Sequence, residues 1–257
     1  MKIKVAEPFT GKEEYKSLKK IIYSGKFVSG KIVETFEKNF SKFLGIKYSI
    51  GFNSGTAALH AALNCLNLKK NDEVIVPAIS FMSTATAVLH NGNTPIFCDV
   101  DIDNYCMDPK DFERKITKKT RAVIPVHFAG SACNMNEIVK IAKKRKIKII
   151  EDCAQAHGTK YNNKLVGTFG DISCYSFYAT KHMTTGEGGM LCTNSRKFMM
   201  TSKIFRSHGM VSRDEHMTLG YNYRMNEIAA QIGIIQLKKL KLMNSKRISN
   251  SKFILKS

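Results

Sequence analysis

The sequence predicts an α/β fold, a mostly parallel sheet covered by helices on both faces. Two observations predict it. Short apolar runs such as EVIVP (73–77) and IKIIE (147–151) read as strands buried on both sides, and amphipathic stretches of roughly ten residues alternate with them. Parallel strands need crossovers of that length, and helices supply them. No internal repeat or low-complexity segment breaks the alternation.

Taken in order, 13–23 and 31–43 carry apolar residues at helical spacing. Residues 48–52 form a short strand, followed by an Ala- and Leu-rich helix over 56–66. A buried strand at 73–77 leads to a helix at 83–91 and a strand at 94–100. Strands at 121–126 and 147–151 flank a helix at 135–144, and 227–243 reads as a long amphipathic helix. After it come Ile248, Phe253, Ile254 and Leu255, apolar residues without a following domain to pack against. The expectation is a C-terminally truncated chain, with a frayed tail as the alternative. In an open parallel sheet, ligands bind beyond the carboxyl ends of the strands, so site residues are sought just after strands.

Composition narrows the class. The 257 residues are 43% hydrophobic and 24% charged, which excludes a disordered or collagen-like chain. No apolar run approaches the ~18 residues of a membrane span, so no membrane insertion is expected. Residues 1–10 hold no secretory apolar core, and a cytoplasmic protein is expected. The net charge is +20, from 41 Lys and Arg against 21 Asp and Glu. It is spread over nearly every segment, and 33 lysines outnumber 8 arginines, unlike the clustered Arg and aromatics of nucleic-acid readers. The densest stretch, Lys143, Lys144, Arg145, Lys146 and Lys148, falls at a helix C-terminus, where cations suit the dipole. No nucleic-acid partner is therefore expected. Seven cysteines stand singly with no CxxC pair, which argues against zinc and for reduced, buried thiols.

Three stretches carry chemistry. Asn53-Ser54-Gly55-Thr56 lies between a strand and a helix, where free N–H groups and the helix dipole suit a phosphate, or where Ser and Thr simply cap the helix. Asp152 ends a buried strand, placed either to hold a protonated ring nitrogen or to cap the next helix. Lys181 sits among apolar and small residues ahead of the glycine-rich TTGEGG. Burial lowers an amine's pKa, and such lysines form Schiff bases with aldehydes, of which pyridoxal phosphate is the common cofactor; the plain alternative is one more solvated lysine. A phosphate cradle, then a strand-end Asp, then a Lys 29 positions on (181 − 152), is a far more specific order than any one of the three.

With these stretches in place the chain resembles the DegT/DnrJ/EryC1/StrS family of sugar aminotransferases over essentially its whole length. The resemblance rests on NSGTAALHAAL, EVIVPAISF, IPVHFAG, IIEDCAQAHG, SFYATKHMTTGEGG, RSHGM and GYNYRMNEIAAQIG, in that order. It implies a fold-type I pyridoxal-phosphate transferase large domain with a seven-stranded sheet. Residues 1–235 would be that domain, with 1–25 an N-terminal arm and first helix, and 236–257 a linker helix opening a C-terminal domain that is largely absent. Lys181 would carry pyridoxal 5'-phosphate and then act as acid and base. Asp152 would pair with the pyridinium nitrogen, Gln155 lie near the ring oxygen, and Phe81 stack on the ring face. Ser54, Gly55, Thr56 and Ser176 would hold the phosphate. Asn222 would reach the phosphate of a neighbouring subunit, which makes the active unit at least a homodimer with a shared site. His157, His182 and His208 fall within the motifs without an assigned role. The implied reaction moves an amino group, most often from glutamate, onto a keto group of a nucleotide-linked sugar, for surface polysaccharide or a related glycan. The wording around Lys181 is most similar to that of enzymes acting on 4-keto-6-deoxysugars. The family includes dehydratases with histidine at the lysine position, so Lys181 favours the aminotransferase. The alternative is an inactive remnant of the cofactor fold with a binding or structural role.

Overall fold

The structure, a computed structural model, describes residues 6–255, so residues 1–5 of the expected N-terminal arm and residues 256–257 lie outside it. Helices α1 (Lys12–Ser24) and α2 (Lys31–Leu44) precede strand β1 (Tyr48–Phe52) and helix α3 (Gly55–Cys65). Then come β2 (Glu73–Pro77), α4 (Ser83–His90), β3 (Thr94–Cys98), α5 (Pro109–Lys115), β4 (Thr120–Val123), α6 (Met135–Arg145) and β5 (Lys148–Asp152). A small hairpin, β6 (Lys160–Tyr161) and β7 (Lys164–Leu165), leads to β8 (Ile172–Ser176), β9 (Gly189–Thr193), α7 (Arg196–Phe205) and α8 (Glu227–Ile254).

The main sheet has seven strands in the order β1-β9-β8-β5-β4-β2-β3. The pairs β8–β5, β5–β4, β4–β2 and β2–β3 are parallel, and β9 runs antiparallel to β1 and β8. Six strands thus point the same way, and their carboxyl ends share one edge. The Ala-Leu pattern of α3 explains its place: Ala57, Ala58, Leu59, Ala61, Ala62 and Leu63 are all buried, so the helix lies within the core rather than on it. On another side Phe36 and Phe40 of α2 meet Tyr175 and Phe177 in tilted and edge-on pairs, with centroids 5.0 to 5.6 Å apart.

Caps set several helix starts. Asn134 and Asn226 accept the N–H groups of Glu137 and Ala229, and Ser195 that of Phe198. Helix α2 follows Gly30, which has no side chain to cap it. The carboxylate of Glu227 serves instead, taking the N–H groups of Ile32 and Val33 at 3.0 Å each. Arg206, whose side chain is mostly buried, is neutralised by Glu37 and also donates to the Gly51 carbonyl, both at 2.6 Å.

Three elements differ from the sequence expectation. The strand expected at 94–100 ends at Cys98, with Val100 in a separate bridge to Met107. The strand expected at 121–126 ends at Val123. The last helix, expected to stop at Met243, runs unbroken to Ile254, and the boundary expected after residue 235 lies inside it. No glycine or proline follows Met243 to end it, and Asn244 and Arg247 anchor it to neighbouring loops. Among the described residues no helix is long and apolar enough to cross a membrane. The seven cysteines are buried and unpaired.

Candidate active site

A cavity of about 530 Å³ opens at the carboxyl edge of the sheet. Five connections line it: residues after β1, β2, β4, β5 and β8. The volume suits a small-molecule ligand.

After β1, Ser54 caps α3, its Oγ accepting the Ala57 N–H at 3.1 Å. Capping uses a lone pair and leaves the hydroxyl hydrogen free to donate, so the cap and an anion contact do not compete. Gly55 and Thr56 begin the helix, where N–H groups have no intrahelical acceptor. The strand ends press close here. A Cβ on Gly55 would lie 2.8 Å from the Ser176 Cβ, and one on Gly189 only 2.3 Å from the Ser54 carbonyl oxygen. Gly189→Ala is therefore expected to cost about 1–3 kcal/mol in overpacking. Thermal melts should show the loss, because the atom displaced is backbone at the start of α3. Thr56 Oγ1 lies 2.6 Å from Ser83 Oγ, which joins the starts of α3 and α4.

The alternation of a strand sends the two acids at the end of β5 to opposite faces. Glu151 turns away from the cavity. Its carboxylate accepts the N–H groups of Gly167, Phe169 and Gly170 at 2.7 Å each and meets His127 Nε2 at 3.1 Å. His127 Nδ1 accepts the Cys133 N–H, so the ring is the Nε2–H tautomer and donates to Glu151. His127, Glu151 and Cys153 cluster within 4.8 Å, but both imidazole nitrogens are committed, and the cluster is structural. Asp152 faces the cavity and is 4% exposed. It accepts the Ala154 N–H at Oδ1 and the Thr84 hydroxyl at Oδ2, both at 3.0 Å. Burial pushes its carboxyl up, against those two hydrogen bonds and the charge of Lys181.

Lys181 sits in the connection between β8 and β9. Phe177 N–H bonds the Gly188 carbonyl, Thr185 N–H the Phe177 carbonyl, and Lys181 N–H the Tyr178 carbonyl. Helix α8 braces this loop: Gln236 Oε1 accepts the Thr184 N–H, and Arg247 donates to the His182 carbonyl. Burial lowers the Lys181 amine's pKa, and the nearby Asp152 carboxylate opposes that shift. His182 is pushed down to about 4 by burial and by the charges of Arg247 and Lys181, so it stays neutral beside the lysine. His157 packs against Tyr175, Phe177 and His182 and is buried, with its pKa held low by that burial.

Gln155 lines the cavity, and its Oε1 accepts the Ala129 N–H at 2.8 Å. A backbone N–H can only donate, so the amide must face the other way with its NH₂. Phe81 stands at the lip, 70% exposed, and is not a core aromatic. The structure therefore brings together Ser54, Gly55, Thr56, Phe81, Asp152, Gln155, Ser176 and Lys181. Asn222 is apart from them: it is exposed, and its backbone carbonyl accepts from the Asn53 side chain. Sequence reasoning missed Ser80, Ser83 and Thr84, although the rule of looking just after strands points to the β2–α4 connection and the first turn of α4 that hold them.

The site fits a phosphorylated aromatic aldehyde. The opening turn of α3 and its hydroxyls suit the phosphate, a buried carboxylate short of a full cation suits a protonated ring nitrogen, and a half-buried amine faces the same space. Known proteins agree. The model of the DegT/DnrJ/EryC1/StrS aminotransferase family matches residues 8–256. A GDP-perosamine synthase of Escherichia coli O157:H7 is 43% identical over 211 residues, 81% of this chain and 58% of that one. Helicobacter pylori PseC, an aminotransferase involved in the biosynthesis of pseudoaminic acid, superposes with a TM-score of 0.91 at 34% identity, over 94% of this chain and 67% of that one. An E. coli GDP-4-keto-6-deoxy-D-mannose-3-dehydratase with bound hydrated PLP superposes with a TM-score of 0.95 at 31% identity, over 100% of this chain and 72% of that one. The chain spans about two thirds or less of the length of the curated relatives it matches, 58% for the synthase. A family match over nearly the full chain, with several of its motifs meeting in one cavity, leads to one conclusion: the chain belongs to the DegT/DnrJ/EryC1/StrS aminotransferase family.

Proposed function

We propose that this chain binds pyridoxal 5'-phosphate and transfers an amino group, from glutamate, to a keto group of a nucleotide-linked deoxysugar. The observation that carries the cofactor half is the convergence of Lys181, Asp152 and the start of α3 on one cavity. The relatives support the substrate class: one is a GDP-perosamine synthase, another a UDP-linked amino-sugar transaminase. Some structural neighbours are dehydratases, and Lys181 favours amino transfer over dehydration.

In this reading the N–H groups of Gly55 and Thr56 and the hydroxyls of Ser54, Thr56 and Ser176 hold the phosphate. Asp152 pairs with the ring nitrogen, Gln155 donates its NH₂ to the ring oxygen, and Phe81 covers one ring face. Bound there, the cofactor supplies an electron sink and a temporary carrier for the amino group. Lys181 is the residue that would hold it covalently between turnovers. Once released, its Nζ moves the proton at the reacting carbon, a task that a lowered pKa favours because the free amine is then accessible. Asn222 serves the site of a second copy, so the active unit is a homodimer. The cofactor-binding domain is taken as residues 1–235, and the linker helix that follows, the rest of α8, stays packed on it through Gln236, Leu240 and Met243. Seven unpaired buried thiols suit the reducing cytoplasm.

The test is a pair of half-reactions followed by visible absorption. Adding glutamate to the cofactor-loaded protein should bleach the absorption band, and a GDP-linked 4-keto-6-deoxyhexose should restore it while an amino sugar appears by mass spectrometry. A loaded protein that ignores glutamate is the binding-only remnant. A protein that takes up no cofactor overturns the reading altogether.

A further inference from the structure

Asp152 is useful to a cationic ring only while it is ionised, and its surroundings work against that. It is 4% exposed, and burial is the largest influence on its carboxyl. The titratable groups around it are Lys181, His127, Cys153 and Cys174. Cys153 and Cys174 are buried thiols pushed far above their usual range and carry no charge. Apart from the Ala154 N–H, the direct hydrogen bond to the carboxylate comes from Thr84 at 3.0 Å.

Ionisation of Asp152 determines the hydrogen count along this contact. An ionised carboxylate has no proton, so Thr84 donates to Asp152. Thr84 has a single hydroxyl hydrogen, so the contact of 2.7 Å between Ser80 Oγ and Thr84 Oγ1 must be a donation from Ser80. The three side chains form a one-way chain, Ser80 to Thr84 to Asp152, in which each bond polarises the next. Thr84 is itself 1% exposed and sits in the first turn of α4, so its rotamer is held by packing.

We propose that Thr84 is a positioning residue, which, backed by Ser80, fixes the orientation of the Asp152 carboxylate and keeps it ionised for the ring nitrogen. The function of that carboxylate rests on the cofactor reading above; its ionisation does not. A hydrogen bond to a charged group is worth roughly a tenfold to hundredfold shift in the equilibrium it supports.

The test measures the Asp152 midpoint in full-length, cofactor-free protein by carbon NMR of labelled aspartate carboxyls, assigned through the signal lost in Asp152→Asn. Thr84→Val keeps the shape and removes the hydroxyl. It should raise the midpoint by at least about one pH unit, Thr84→Ser should leave it near wild type, and Ser80→Ala should raise it by a smaller amount. In loaded protein, Thr84→Val should weaken cofactor binding about tenfold and lower kcat with little change in KM, while Thr84→Ser restores both. An unchanged midpoint in Thr84→Val, or a serine variant that behaves like valine, overturns the proposal. If the valine variant does not fold, Ser80→Ala decides, since it leaves the Asp152 contact in place and removes only its support; no shift there counts against the chain. A shifted midpoint in a protein that binds no cofactor would sink the functional reading and leave this inference standing.

Discussion

Lys181→Ala is expected to reduce amino transfer by at least about a thousandfold, and Lys181→Arg to be no better. The amine lines the same cavity as the α3 cradle and Asp152, and burial has already lowered its pKa. Arginine keeps the charge but has no free-base form near neutrality, so it can neither hold an aldehyde nor take up a proton. The side chain itself bears little of the fold. Its loop is closed by backbone bonds and braced by Gln236 and Arg247, all of which survive the substitution. Melting temperatures should therefore stay within a few degrees of wild type while turnover, followed as glutamate-dependent formation of the amino sugar, disappears. Loss of activity accompanied by collapse of the fold would count against this assignment.

Glu151→Gln should have the opposite profile, a large loss of stability. One carboxylate satisfies three backbone N–H groups and the Nε2–H of His127, all in a fully buried site. Glutamine is nearly the same size, but one of its two ends is a donor. It would face N–H groups that have nowhere else to turn, and leaving buried donors unpaired costs about 3–5 kcal/mol in total. The urea midpoint is the measurement, and a shift under about 1 kcal/mol would show that Glu151 is not what secures residues 167–170. Two neighbouring acids thus divide the labour because strand geometry sends them to opposite faces, one to the fold and one to the cavity.

Much of the fold and site is legible in the sequence, for identifiable reasons. Strands 48–52 and 73–77 are readable to the residue because turn and loop residues bound their apolar runs. β8 and β9 are not, since ISCYS and GMLCT mix Gly, Ser and Thr with their core side chains, and neither shows a continuous apolar run. The far end of α8 escapes because NSKRISNSK has no continuous apolar face; the helix is fastened there by Asn244 to the His157 carbonyl and by Arg247 to that of His182. In the site, Ser54, Asp152 and Lys181 stand out by chemistry, and the fold brings all three to one cavity, with Ser54 capping α3 as well. Ser83 and Thr84 escape because hydroxyls at a helix start look like caps, and only the fold shows them meeting Thr56 and Asp152. Asn222 lies outside the cavity of its own chain, so no single chain can display the role proposed for it.

The most direct test of the central claim is chemical. The purified chain is mixed with pyridoxal 5'-phosphate, reduced with borohydride and digested, and its 33 lysines are searched by mass spectrometry. The expected result is a reduced cofactor adduct at Lys181, formed stoichiometrically and absent from Lys181→Ala. An unmodified Lys181 in cofactor-saturated protein, or an adduct scattered over surface lysines, would contradict the claim.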